Sequence, residues 1–245
     1  MHLVLDFGNT FQKCAVFNQG EIVELKKYQN ISLSDLQEFV SDFLNIKSCI
    51  LSSVIHTDPK IISYLTAEYF FINLSHQTPI PITNQYLNPV TLGKDRLAAA
   101  VAVSILAKGH TALSIDIGTA IKFDLVSSDK VYLGGSISPG LHLRFMALHN
   151  FTAKLPLLES NLVHDLIGNN TETSILSGVM NGAIAEVNGL IEQYKTQYYD
   201  LKIYLSGGES IYFEKYIKND IFANSNLVLI GLNEILFFNE RNYSL

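Results

Sequence analysis

Two stretches of the chain, 110 positions apart, carry the same order of residue types. In LVLDFGNTFQKCAVF (residues 3–17) an apolar run leads to Asp6, then Gly-Asn-Thr, then a second apolar run. In ALSIDIGTAIKFDLV (112–126) the same order surrounds Asp116 and Gly118-Thr119. Each reads as strand, tight turn, strand, because Gly and Asn tolerate the positive φ of such turns. Each is followed by a second turn and a third strand: Asn18-Gln19-Gly20 before Glu21–Leu25, and 127–130 before Val131–Leu133. A whole β-β-β unit recurring at half the chain length implies a duplicated domain. Solenoid repeats recur at about 20–50 residues. The fold expected is α/β, two domains over residues 1–110 and 111–245, each a mixed sheet flanked by helices.

The segments between fit that plan. SLSDLQEFVSDFLN carries Ser32 or Ser34 as an N-cap, with Leu36, Phe39, Val40, Phe43 and Leu44 at helical spacing. Residues 48–54 form a buried strand, 58–69 a helix with Pro59 in its first turn, and 69–74 another strand. Residues 76–92 are irregular, and LAAAVAVSILA (97–107) is a buried helix. In the second copy the pattern predicts a helix over 173–194 and a strand over 202–205. Ser206-Gly207-Gly208 opens a further helix, and a final one spans 232–240.

Composition narrows the classes. Of 245 residues, 48% are hydrophobic and 16% charged, which describes an ordinary globular protein. The net charge of −6 and the lack of a long basic run leave no nucleic-acid footprint. The run 97–107 falls short of the roughly 20 apolar residues that span a bilayer. Met1 leads directly into a strand without a basic, apolar leader, so a cytoplasmic protein without membrane partners is expected. Cys14 and Cys49 stand apart from any Cys or His cluster and read as reduced thiols.

The acids before the two turns are the chemical signal. A turn of Gly and a small hydroxyl residue exposes backbone N–H groups that cradle phosphate, and an Asp just before it reaches a phosphate-bound metal. Ordinary hairpins with Asx turns give the same pattern singly; two copies in one setting favour the phosphate reading.

With these motifs the chain resembles the actin, sugar-kinase and heat-shock ATPase superfamily, whose duplicated ribonuclease-H-like domains hold ATP in a cleft between them. Within it the chain is similar to the type III pantothenate kinases. The resembling segments are DFGNTFQK (6–13), DIGTAIKFD (116–124), YLNPVTLGKDRLAAAVA (86–102), LGGSISPGLHLRFMALHNFTAKLP (133–156), TETSILSGVMNG (171–182) and LSGGES (205–210). They run in family order.

That resemblance implies transfer of the ATP γ-phosphate to the hydroxyl of pantothenate. Asp95 is the implied base, although an Asp placed just before a helix also serves as a cap. Tyr86, Gly93, Lys94, Asp95, Arg96 and Thr171 are the implied pantothenate residues, Thr171 from the neighbouring subunit of a homodimer. Segment 133–156 is the implied dimer interface. ATP falls to Asp6, Phe7, Gly8, Asn9, Thr10, Phe11, Gln12 and Lys13, with Thr119, Gly207 and Gly208. Lys13 has solvent-facing placement as its alternative. Asp6 is the implied Mg²⁺ residue, directly or through water, and Asp116 the implied monovalent-cation position, for potassium or ammonium. Two residues depart from the family: Ser206 stands where Thr is usual, a small change, and Lys122 also stands where Thr is usual. Its ammonium either faces solvent or sits near the phosphates or cation position and weakens the need for potassium. A non-catalytic transcriptional accessory factor on the same scaffold is the competing reading, as is a kinase for another alcohol or sugar.

Overall fold

Strand β1 (His2–Phe7) has Leu3, Leu5 and Phe7 on one face and Val4 and Asp6 on the other, because strand side chains alternate. A computed structural model describes residues 1–162 and 164–242 and divides the chain into two units. The first holds residues 1–106, 130–132 and 226 onward; the second holds 107–129 and 133–225.

In the first unit β1 pairs antiparallel with β2 (Gln12–Asn18), which pairs antiparallel with β3 (Glu21–Tyr28). The turn between β2 and β3 uses positive φ at Gln19 and Gly20. On the other side β1 runs parallel to β4 (Ser48–Ser53), and β4 parallel to β5 (Phe70–Asn73). The sheet order is therefore β3-β2-β1-β4-β5.

Two helices return the chain between its parallel strands. Helix α1 (Leu33–Ser41) starts at Ser32, whose hydroxyl accepts from the Asp35 N–H while Asp35 accepts from the Ser32 N–H. This reciprocal box satisfies two of the donors that every helix start leaves open. Helix α2 (Pro59–Glu68) is capped by Asp58, which accepts from the Lys60 N–H at 2.8 Å. Leu36, Phe39, Val40, Ile61 and Leu65 from these helices join Leu3, Leu5, Phe7, Cys14, Cys49 and Leu51 in one core.

After the short strand β6 (Thr83–Asn84) comes α3 (Lys94–Leu106). The second unit begins with β7 (Ala112–Ile117), β8 (Ala120–Val126) and β9 (Val131–Pro139). The first two residues of β9, Val131 and Tyr132, belong to the first unit and pair with β6. Helices α4 (Leu141–Asn150) and α5 (Thr171–Gln197) follow, then β10 (Lys202–Ser206) and β11 (Ile221–Ala223). The order β11-β10-β7-β8-β9 repeats that of the first unit, strand for strand. Helix α5 is long and apolar enough to cross a membrane by length and composition. Its Ile175, Val179, Met180, Ala183, Val187 and Ile191 instead pack on Leu113, Ile115, Ile117, Phe123 and Phe145 in the second core.

The last helix, α6 (Leu227–Asn242), lies in the first unit, although the division 1–110 and 111–245 gives it to the second. It packs on β1 and β4 and on α3. Gly231 makes this approach possible: a Cβ there would lie 1.8 Å from the carbonyl oxygen of Ala98. Polar contacts fix it further. His2 meets Asn233 Oδ1 at 2.8 Å and Glu240 at 2.9 Å, and the Ser48 hydroxyl donates to Glu240.

Three other expectations change. After Ser206 there is no α-helix but two short 3-10 turns, at Ser210–Tyr212 and Glu214–Tyr216. The Glu209 N–H is drawn back to the carbonyl of Ile117 at 3.0 Å, which bends the chain away from a helical start. Asp95 does not precede α3 but sits in its first turn. Gly8 and Asn9 keep negative φ; the positive values fall at Gln19, Gly20, Lys108, Gly109, Lys130, Gly134 and Gly207 among the described residues.

The two thiols report on the first core. Burial pushes Cys14 from about 9 up to about 12, against a small opposing pull from Lys26, and pushes Cys49 well above its usual value. The fold thus retains thiol protons that the unfolded chain releases. Their contribution to stability is whole below about pH 9; that of Cys14 is lost as pH rises toward 12, by about 1.4 kcal/mol per pH unit, and that of Cys49 is lost in the same direction. Native protein at pH 8 should leave both thiols unreactive toward a disulfide reagent, and denaturant should release both. Rapid labelling of native protein would contradict this burial.

Candidate active site

The two Asp-x-Gly turns differ in length. In the first, Phe7 pairs with Gln12, leaving residues 8–11 in the turn, and the Gly8 N–H donates to the Phe11 carbonyl at 3.1 Å. In the second, Ile117 pairs with Ile121, leaving 118–120, and the Gly118 N–H donates to the Ala120 carbonyl at 3.1 Å. Closing the turns thus uses both glycine N–H groups. Asn9, Thr10 and Thr119, all exposed, stand in these turns to offer donors to a phosphate. Phe11 is exposed too, whereas Phe7 is buried in the core. Gln12 is also buried, its Oε1 accepting the Ile31 N–H at 2.6 Å, so its side chain is committed to the fold.

The strand register builds a matching trio in each unit. Asp6 lies across from Lys13 on β2 and from Ser52 on β4. Asp116 lies across from Lys122 on β8 and from Ser206 on β10. In-register neighbours point to one face, so each carboxylate has a lysine on one side and a serine on the other. Both serine hydroxyls are buried without a protein hydrogen-bond partner. The second trio is closed: Lys122 Nζ and Asp116 Oδ2 are 2.5 Å apart, each side chain about one-fifth exposed.

The second turn is braced by glycines from later in the chain. The Gly140 N–H donates to the Thr119 carbonyl at 3.0 Å, and a Cβ on Gly140 would lie 2.0 Å from the Gly118 oxygen. Gly207, at φ +98°, brings the β10 end to Ile117, where a Cβ would lie 2.1 Å from the carbonyl oxygen. Gly208 is exposed, with open space beside it. Sequence reasoning missed Glu209. Its carboxylate accepts the Leu141 N–H at 3.3 Å at the start of α4, where Gly140 offers no side-chain cap. Burial holds its pKa above the usual range.

The start of α3 gathers the acceptor-side residues. The Leu97 N–H donates to the Gly93 carbonyl at 3.1 Å, so Lys94, Asp95 and Arg96 form the first turn. Asp95 Oδ1 lies 2.6 Å from where a Gly93 Cβ would be, so glycine makes room for this half-buried carboxylate. The positive end of the helix favours its ionised form. Burial lowers the Lys94 pKa. Arg96 is buried, and its guanidinium carbon stands 5.6 Å from the centre of the Tyr86 ring. Tyr86 in turn stacks on buried Tyr132, with centroids 6.1 Å apart and planes at 27°. The structure therefore brings Tyr86, Gly93, Lys94, Asp95 and Arg96 together within the first unit. The Tyr132 support was not foreseen, because it arrives from β9.

Thr171 is the first residue of α5, next to Asn170, which caps the helix by accepting from the Thr173 N–H at 2.9 Å. It lines an open, largely apolar cavity of about 970 Å³ between α4 and α5, with Leu148, Phe151, Leu155, Ile175 and Val179.

Among the described residues no group of three His, Cys, Asp or Glu could hold a metal. Asp6 stands half-buried one residue before the end of its strand, beside the first turn, which fits a single carboxylate meeting a magnesium ion carried on phosphate. Asp116 does not fit a monovalent cation. Its carboxylate already holds an ammonium, and a second unit charge about 4 Å from that nitrogen would be repelled by roughly 4 kcal/mol at an effective dielectric of 20.

Comparison with known proteins decides the family. The sequence profile described as type III pantothenate kinase matches residues 2–193. The type III pantothenate kinase of Christiangramia forsetii is 45% identical over 98% of this chain and 99% of its own. The chain belongs to the type III pantothenate kinase family. Among solved structures, a Campylobacter jejuni protein assigned to the Baf family of transcriptional activators matches with a TM-score of 0.63 at 21% identity, over 98% of this chain and 99% of its own. Lmo2764 of Listeria monocytogenes, assigned as an N-acetylmannosamine kinase, matches at 0.55 and 15%, over 98% and 99%. At such identities the likeness carries the fold alone. For a type III pantothenate kinase, the braced second turn gives a direct test. Gly207→Ala adds a strained φ and a backbone clash and should cost about 1–3 kcal/mol in urea unfolding, while Gly208→Ala should stay within about 1 kcal/mol. Equal losses would refute the bracing.

Proposed function

We propose that this protein transfers the γ-phosphoryl group of ATP to the primary hydroxyl of pantothenate. The product is 4′-phosphopantothenate, the first intermediate on the way to coenzyme A. One observation carries the reading in a chain of this family: Lys94, Asp95 and Arg96 form the first turn of α3, with the Asp95 carboxylate folded over the preceding Gly93. Phosphoryl transfer asks a protein mainly for positioning and charge stabilisation, plus an acceptor for the hydroxyl proton.

Asp95 is that acceptor. It takes the proton as the pantothenate oxygen bonds to phosphorus, and ADP leaves with the bond to the γ-phosphorus broken. The helix start keeps the carboxylate ionised and ready to receive the proton. Arg96 binds the pantothenate carboxylate through its planar fork. Its contact with Tyr86, itself stacked on Tyr132, orients that fork before substrate arrives. Lys94 adds local positive charge.

On the nucleotide side, Asn9, Thr10 and Thr119 offer donors to phosphate oxygens, and Lys13 offers charge. Gly207 and Gly208 allow close approach to the adenosine. Asp6 would hold the magnesium ion, which neutralises charge on the phosphates when bound. The protein acts as a cytoplasmic homodimer through segment 133–156, and Thr171 completes the pantothenate pocket of the neighbouring subunit. The accessory-factor reading gains no support, since the Baf-family likeness extends to the fold alone.

An ADP-release assay with pantothenate and Mg-ATP tests the proposal. Asp95→Asn should lower the pantothenate-dependent rate by ~10²-fold or more, with ATP binding kept. No pantothenate-dependent rate in the wild type would overturn it, and a screen of alcohols and sugars would then identify the acceptor. Arg96→Lys keeps the charge but loses the fork. It should raise the KM for pantothenate by about tenfold while moving kcat less; an unchanged KM would remove Arg96 from the carboxylate site.

A further inference from the structure

We infer that the Lys122 ammonium is a built-in replacement for a monovalent cation at Asp116, so that this enzyme runs without potassium or ammonium. The inference rests on the proposed kinase reaction and adds to it a positioning role for a residue outside the acceptor site. Three observations carry it. Asp116 and Lys122 are direct register partners on β7 and β8, and their charged atoms are 2.5 Å apart. The pair stands on the polar face of strands whose other face is closed by Leu113, Ile115, Ile117 and Phe123, and both side chains are largely covered. The turn it borders is held by Gly140 and Gly207, so the strand ends that carry the pair keep a fixed place.

A lysine ammonium carries the same unit charge as potassium and donates hydrogen bonds, as a free ammonium ion does. Being tethered, it does not depend on the salt around the protein. Its charge holds Asp116 neutralised and keeps the second phosphate turn from presenting a bare carboxylate to an anionic nucleotide. The first copy has Lys13 in the matching register opposite Asp6, so a lysine facing the turn acid is common to both halves.

The test compares potassium, sodium and choline chlorides at equal ionic strength, by rate and by thermal unfolding. Wild type should show the same pantothenate-dependent rate in all three, within about twofold, and the same Tm. Lys122→Thr should lose on the order of 10²-fold in sodium and recover most of it in potassium. Its Tm should rise in potassium over sodium, because an ion that binds only the folded state stabilises it. A merely structural lysine would give a variant that no salt rescues, and that result overturns the inference. So does a wild type that needs potassium or gains Tm from it, a measurement requiring no variant. Absence of pantothenate-dependent turnover in every salt would sink the proposed function alone; the wild-type and variant Tm comparisons would still decide the cation question.

Discussion

Alternation along a central strand governs each unit. On β1 and β7 the residues Leu3, Leu5 and Phe7, or Leu113, Ile115 and Ile117, enter a helix-covered core. Their neighbours must therefore face the other way, and the last of these is an aspartate in both strands. A shift of one residue in register would turn the carboxylate into that core and Leu3, Leu5 and Phe7, or their counterparts, out of it. The apolar face therefore specifies where the acid stands, and the acid's place specifies which lysine and which serine lie beside it. Site geometry here is a by-product of core packing.

The acceptor residues obey a different local rule. Helix α3 is rich in alanine, and small side chains let α6 approach until Gly231 meets the backbone of Ala98. A helix held so closely has little freedom at its first turn. Asp95 and Arg96 inherit that rigidity, and the Tyr86–Tyr132 stack supplies a second wall for the guanidinium. Preorganisation of this kind lowers the entropy lost when substrate binds.

Much of this was legible in the sequence because it depends on short-range pattern. The Asp6 and Asp116 hairpins, the capped helix at Ser32 and the buried helix after Gly93 follow from periodicity and caps. What escaped depends on long-range pairing. Helical spacing over 232–240 says that one face is buried, but not on which sheet, so α6 was given to the wrong half of the chain. Strand β11 spans only Ile221–Ala223, too short for a period to register. The Ser206-Gly207-Gly208 segment reads as a helix start until the Ile117 carbonyl captures the Glu209 N–H. Lys122 was visible as an unusual residue; only the β7–β8 register shows that it meets Asp116.

The return of α6 to the first sheet also bears on how the chain matures on the ribosome. Strands β1 to β5 emerge early, but one face of β1 and β4 stays bare until Leu227–Asn242 has been made. During that interval the nascent first half exposes Val4 and Ile50, which end fully buried. The second unit, by contrast, has all its strands once Ala223 has been added. Its segments can settle before those of the unit that begins the chain. Synthesis order and completion order are thereby inverted, and the early half depends longest on whatever shields nascent apolar surface.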